Sequence, residues 1–306
     1  MNLNVLIAVD GSRYSETAVG LARALRMGKK ADVTALTVIP EHVLLGGHTL
    51  ADLLGRSGVR TVQMKKAEEE NASKLLAKLS KALAGPGVKA ETMIRRGSPA
   101  DEIMKTCRAI PADLVVVGFK GAGDSPEFLL GSVAHKVIKY APCSVLVAKR
   151  KTEAVNRVLV PLDGSKHSDE TIQFLLRIPL PPHAEVLLMV VLQPFVATLV
   201  KAYTLDPERD RQIVAELRKA EEDAAERVLA EARSPLLKNG HTVSPILARG
   251  DPSREILREA AQQDVELIAL GAKGLSGVRG FLLGSVAQRV SRYAKSSVLI
   301  VRPPKG

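Results

Sequence analysis

The sequence predicts an α/β protein built as two tandem domains, each a parallel sheet with helices on both faces. Three observations carry that reading. The chain of 306 residues repeats itself in a register of 153; short apolar runs alternate with helical patterns; and a glycine-rich segment follows one apolar run directly in each copy.

The repeat is clearest where GFKGAGDSPEFLLGSVAHKV, starting at Gly118, answers to GAKGLSGVRGFLLGSVAQRV, starting at Gly271. From Gly118 to Val147, 16 of 30 positions are identical to their partners 153 residues on. Asp10-Gly11-Ser12 answers to Asp163-Gly164-Ser165, and GSPADEI from Gly97 to GDPSREI from Gly250. A period this long marks a duplicated domain and not a solenoid. The seam falls in the charged stretch AKRKTEAVNR, giving domains 1–151 and 152–306.

Within the first copy, LNVLIAV is an apolar run stopped by Asp-Gly-Ser, the pattern of a buried parallel strand. A helical pattern follows from Tyr14 to Met27, then a second strand, DVTALTVI. A long amphipathic helix is expected from Thr61 to Leu83, with Met64, Ala67, Leu75, Leu76 and Leu79 on its apolar side. VKAETMI is the third strand, and Pro99 belongs in the first turn of the next helix, where its missing N–H is no loss. DLVVVG is the fourth strand; the glycine loop, a helix from Val133 to Tyr140 and the strand SVLVA complete the copy. The second copy repeats the series, its long helix running from Glu208 to Ala232. Alternation of this kind requires right-handed βαβ units. Asp10, Val38 and Gly118 then all fall at carboxyl ends of strands, the edge where such sheets bind ligands.

Composition narrows the function classes. With 46% hydrophobic and 25% charged residues the chain has the balance of a soluble globular protein. The N-terminus lacks the basic start of a signal peptide, and the apolar stretch from Ala184 to Val196, interrupted by Glu185, is too short for a membrane span. The net charge of +11 invites a nucleic-acid reading, but the basic residues are scattered pairs without interleaved aromatics, which argues against one. Cys107 and Cys143 form no CxxC pair; a reducing cytoplasm and small core residues are expected. His135 is replaced by Gln288 in the other copy, and His48 stands alone in a connection, so neither suggests a catalytic or metal site. Ser12 and Ser165 read as helix caps, not nucleophiles.

The glycine loop carries the chemistry. It runs G-x2-G-x9-G-S into a helix, with Ser132 and Ser285 expected as N-caps. Free N–H groups at a helix start bind anions, phosphate above all. Lys120 or Lys273 can pair with a phosphate oxygen. Asp10 and Asp163 can accept from sugar hydroxyls or help hold Mg²⁺ beside phosphates. Neither GxxxxGK[ST] nor GxGxxG is present.

The pairing of VDGS/LDGS with this loop and a closing APCSVLVAKR/AKSSVLIVRP strand resembles the universal stress protein family in its tandem form, over essentially the whole chain. The resemblance implies two Rossmann-like domains, each a five-stranded parallel sheet in the order 3-2-1-4-5 with helices on both faces. It also implies the ATP-binding type of member. The adenine contacts then map to Val38 and Val191, and the aspartate after the first strand to Asp10 and Asp163. The loop maps to Gly118, Lys120, Gly121, Gly131, Ser132 and Val133, and again to Gly271, Lys273, Gly274, Gly284, Ser285 and Val286.

The expected function is a cytoplasmic ATP-binding stress-response regulator, with Mg²⁺, whose nucleotide occupancy changes conformation or assembly and which hydrolyses ATP slowly if at all. Protein partners and a homodimer are compatible with this; a nucleotide-free interaction module and an adenylyl-transferring enzyme are the alternatives. The first loop has Asp124, Pro126 and Glu127, whose two carboxylates would repel a triphosphate or need a cation between them, whereas the second has Arg279 and small residues, so the second half is the expected tighter site. The long connections Glu41 to Arg60 and Pro194 to Asp206, with Val43, Leu44, Leu45, Phe195, Val196 and Leu199, are expected to be lids, docking surfaces or packing over the sheet edge.

Overall fold

Residues 3–27, 31–41, 58–83, 90–124, 129–193, 210–275 and 283–303 are described by a computed structural model. The chain divides into two compact units between Ala154 and Val155. The first contains β1 (Leu3–Val9), α1 (Arg13–Ala24), β2 (Ala31–Pro40), α2 (Gly58–Leu83), β3 (Ala90–Gly97), α3 (Pro99–Ala109), β4 (Leu114–Gly118), α4 (Ser132–Tyr140) and β5 (Ser144–Ala148). The second contains β6 (Arg157–Leu162), α5 (Lys166–Arg177), β7 (Glu185–Leu192), α6 (Arg211–Lys238), β8 (Thr242–Arg249), α7 (Pro252–Gln262), β9 (Leu267–Gly271), α8 (Ser285–Tyr293) and β10 (Ser297–Val301).

In the first unit the strand order is β3-β2-β1-β4-β5, and in the second β8-β7-β6-β9-β10. Both match the expected 3-2-1-4-5 arrangement, and the paired strands are parallel. Ile7 is flanked by Ala35 on one side and Val116 on the other, so the central strand is walled by aliphatic side chains. Leu6, Ile7, Leu114, Val115 and Val116 are all fully buried, which is why these strands read as unbroken apolar runs. Contacts join α1 with α2 and α3 with α4, one pair to each face as right-handed crossovers require. The second unit repeats this with α5 and α6 opposite α7 and α8.

The helix starts follow local rules. Ser12 Oγ accepts the Ser15 N–H at 3.3 Å, and Ser165 Oγ accepts that of Ser168 at 3.4 Å, the expected capping role. Pro99 and Pro252 stand in the first turns of α3 and α7. The long helices depart from expectation. Met64 is 47% exposed and Ala67 is exposed too; burial begins at Ala72 and continues through Leu76, Leu79 and Leu83. A helix of 26 residues spans about 39 Å, more than the strands it covers, so its first turns have no sheet beneath them. In the second unit α6 continues through Pro235 to Lys238, past the expected end at Ala232. A proline close to a helix end removes a single bond, and the fully buried Leu236 holds the last turn in place.

One brace recurs in both units. Arg96, at the end of β3, pairs with Glu68 at 2.9 Å and Glu69 at 3.1 Å on α2. Arg249, at the end of β8, pairs with Glu221 and Glu222 on α6. These pairs are partly solvated and worth on the order of 1 kcal/mol or less each.

Cys107 on α3 and Cys143 before β5 are both buried free thiols. A hydrogen bond with Cys143, together with burial, pushes the Cys107 thiol far above its ordinary range. A thiol reagent is therefore expected to label neither cysteine in the native protein and both after unfolding. Rapid labelling before unfolding would show that this part of the core opens. Among the described residues no helix is long and apolar enough to cross a membrane.

Candidate functional site

Parallel strands bring Asp10, Val38 and Gly118 to one edge of the first sheet, and Asp163, Val191 and Gly271 to the matching edge of the second. Val38 does not close its strand as expected: it pairs with Arg95 while β2 runs on to Pro40. Val191 lies next to the end of β7 and pairs with Ala248.

The glycine loop is closed on itself in the same way in both units. Phe119 donates its N–H to Ala148 O at 3.0 Å, and Gly131 donates to Phe119 O at 2.7 Å. In the second unit Ala272 donates to Val301 O at 2.8 Å and Gly284 to Ala272 O at 2.7 Å. This closure corrects the expected caps. Gly131 and Gly284 are the N-caps, in extended backbone, and their carbonyls accept from His135 and Gln288 at 2.9 Å. Ser132 and Ser285 are thus the first helical residues. The bond back to the strand fixes the glycine just outside the helix, and helix winding begins one residue earlier than it would with a serine cap. The N–H groups of Ser285, Val286 and Ala287 precede the first intrahelical bond of α8.

The two leading glycines have different reasons to be glycine. A Cβ on Gly118 would stand 2.7 Å from Tyr14 O, and one on Gly271 would stand 2.9 Å from His167 Cβ, so both are dictated by the start of the helix packed across them. Gly121 and Gly274 face the aspartates: a Cβ on Gly121 would lie 3.0 Å from Asp10 Oδ2, and one on Gly274 would meet Asp163 Oδ2.

In the second unit these parts border a cleft of about 390 Å³. Asp163, Val191, Gly271, Lys273, Gly274, Gly284, Ser285 and Val286, the eight residues expected there, all line it. Asp163 Oδ1 accepts the Ser168 hydroxyl at 2.7 Å and the Ser165 N–H at 3.0 Å, and Oδ2 accepts the Leu275 N–H at 2.9 Å. Partial burial pushes this carboxyl up, but the bonds from Ser165, Ser168 and Leu275 outweigh it and hold the group below the ordinary carboxylate value. It is an ionised acceptor at neutral pH. The wall also includes Pro252 and Ile256 of α7, Gln193 and Ser168, which the sequence reading did not name. The proline beyond Gly250-Asp251, at another strand end, was the available signal for the α7 contribution.

In the first unit Asp10 accepts from Ser12 N–H at 3.0 Å and Ala122 N–H at 2.8 Å. Lys120 lies with its Nζ 5.7 Å from the Phe119 ring centroid. Val133 follows Ser132 in the first turn of α4. The loop differs from its counterpart through Asp124: Oδ2 accepts from Gly121 N–H at 2.6 Å, and Oδ1 accepts from the Ser132 N–H at 3.3 Å and the Ser132 hydroxyl at 3.4 Å. Pro126, Glu127 and Arg279 lie outside the described residues, as do His48 and the expected apolar connection residues Val43, Leu44, Leu45, Phe195, Val196 and Leu199.

Comparison with known proteins matches the Universal stress protein family model to residues 1–149 and again to 154–302. The chain belongs to the universal stress protein family. Universal stress protein YxiE of Bacillus subtilis is 32% identical over 148 residues, which is 47% of this chain and 97% of its own. A universal stress protein of Mycolicibacterium smegmatis is 27% identical over 316 residues, covering 98% of this chain and 97% of its own. The crystal structure of a universal stress protein from Archaeoglobus fulgidus has a TM-score of 0.63 at 20% identity over 98% of each chain, a likeness of fold. The tandem arrangement is thus shared with full-length universal stress proteins, while YxiE spans one repeat. His135 is exposed on α4 of the first universal stress protein repeat.

Proposed function

We propose that this universal stress protein binds ATP in the cleft of its second unit and acts in the cytoplasm as a regulator whose nucleotide occupancy alters conformation or assembly. The observation that carries the proposal is the convergence of all eight expected residues on one cleft of about 390 Å³, within the range of small-ligand sites. The residues present fit the nucleotide. The leading N–H groups of α8 and the ammonium of Lys273 would hold phosphates. Asp163, ionised and already oriented by Ser168, would accept from ribose hydroxyls or, with the phosphates, help hold Mg²⁺. Apolar Val191, Pro252 and Ile256 would enclose the base. Among the described lining residues Asp163 is the sole carboxylate, and it is engaged by three donors, so no free base stands ready to activate water. Hydrolysis is accordingly expected to be slow.

ATP with Mg²⁺ at a hundred times its Kd is expected to stabilise the native state by about 2.7 kcal/mol, raising the Tm of a domain of this size by roughly 5–10 °C. A melting curve unchanged by ATP would overturn the proposal and favour the nucleotide-free interaction module. Sedimentation with and without ATP then reads out any change of assembly.

A further inference from the structure

The first unit supplies an anion to its own loop. The Asp124 carboxylate is bonded to Gly121 N–H and to both donors of Ser132, and it lies against Gly131 in the space a side chain there would enter. The corresponding residues of the second unit, Gly274, Ser285 and Gly284, instead line the cleft. In sequence the partner of Asp124 is Gly277, which has no side chain with which to make such bonds. We infer that Asp124 is a resident anion that closes the first unit's loop to phosphate ligands, so that each chain carries one working nucleotide site. The inference rests on reading the second cleft as that site.

The physical argument has three parts. A carboxylate accepting N–H donors at a helix start is favoured by charge and by the helix dipole. Asp124 is tethered only three residues from Gly121, so a phosphate in free solution competes against a group at high effective concentration. A phosphate that displaced only part of these bonds would also face a like charge at close range. Asp124 therefore sets specificity by occupying donors, with no role in chemistry.

Isothermal titration of the full chain with ATP and Mg²⁺ tests this. Wild type is expected to bind one equivalent and Asp124→Gly two, with Asp124→Gly in a Gly284→Glu background keeping one. Asp124→Asn, which removes the charge and keeps the size, is expected to show a measurable first-unit site should the glycine variant fail to fold. Two equivalents in wild type, or one in a folded Asp124 variant, would overturn the inference. A second readout needs no nucleotide: pyrophosphate should shift the amide resonances of Gly121 and Ser132 in the Asp124 variant and leave them in place in wild type. If ATP binds no form of the protein, the proposed function falls, and this readout alone decides the inference: shifts confined to the variant uphold it, and shifts in wild type or in neither sink it.

Discussion

Gly284→Glu is expected to weaken ATP binding at least about a hundredfold, whereas Gly131→Glu leaves the tight site intact. Gly284 is the N-cap of α8 with φ −73°, a conformation open to any residue. A Cβ there would lie 3.4 Å from Ala272 O and Lys273 Cα, ordinary contact, so the backbone accepts a side chain. The effect comes from what the longer side chain does. It projects a carboxylate into the cleft beside the leading N–H groups of α8, where the dipole stabilises it and a phosphate would have to displace it. Losing two charge-assisted hydrogen bonds at about 1.5 kcal/mol each is a factor of roughly a hundred. Gly284→Ala, adding a methyl without charge, should bind within about tenfold of wild type. At Gly131 a Cβ would instead collide with the Asp124 carboxylate already in place and stand 2.9 Å from Lys120 Cα, disturbing the first unit alone. Isothermal titration of the three variants decides; loss of the tight site in Gly131→Glu would mean the two loops have been assigned the wrong way round.

The second large effect is on stability. Gly118→Val is expected to destabilise the first unit by about 3 kcal/mol or more. An added Cβ would stand 2.7 Å from Tyr14 O, 2.8 Å from its carbonyl carbon and 2.9 Å from its Cβ. Two of those atoms are backbone of α1 and cannot rotate away. The helix would have to lift from the end of β4, breaking the edge-to-face contact of Tyr14 with Phe119 at 4.8 Å. Gly123→Ala, where nothing lies within 4 Å of the added carbon, is the control and should change stability by no more than about 0.5 kcal/mol. Urea unfolding measures both. A Gly118→Val protein as stable as wild type would show that α1 yields freely at its first turn.

The sequence by itself determined the class of fold, the duplication and the place of the candidate site. LNVLIAV, DLVVVG and SVLVA announce buried parallel strands because burial on both faces leaves no polar alternation, a local property that survives in one dimension. Three residues of the second cleft, Asp163, Val191 and Gly271, were legible for a related reason, since parallel strands put strand-end residues on one edge; the other five came from the glycine-loop pattern and the family resemblance. The tertiary structure decided what depends on direction and closure. That Gly131 and Gly284, not the serines after them, cap their helices follows from bonds to Phe119 and Ala272, made across a loop whose shape no pattern encodes. That the apolar stripe of α2 is idle at Met64 follows from where the sheet beneath it stops. The sequence showed that the first loop was acidic, but a charge in a sequence has no orientation. Only the fold turns Asp124 inward onto Gly121 and Ser132, converting an expected repulsion into an anion already bound, because the donors it meets belong to residues brought beside it by loop closure.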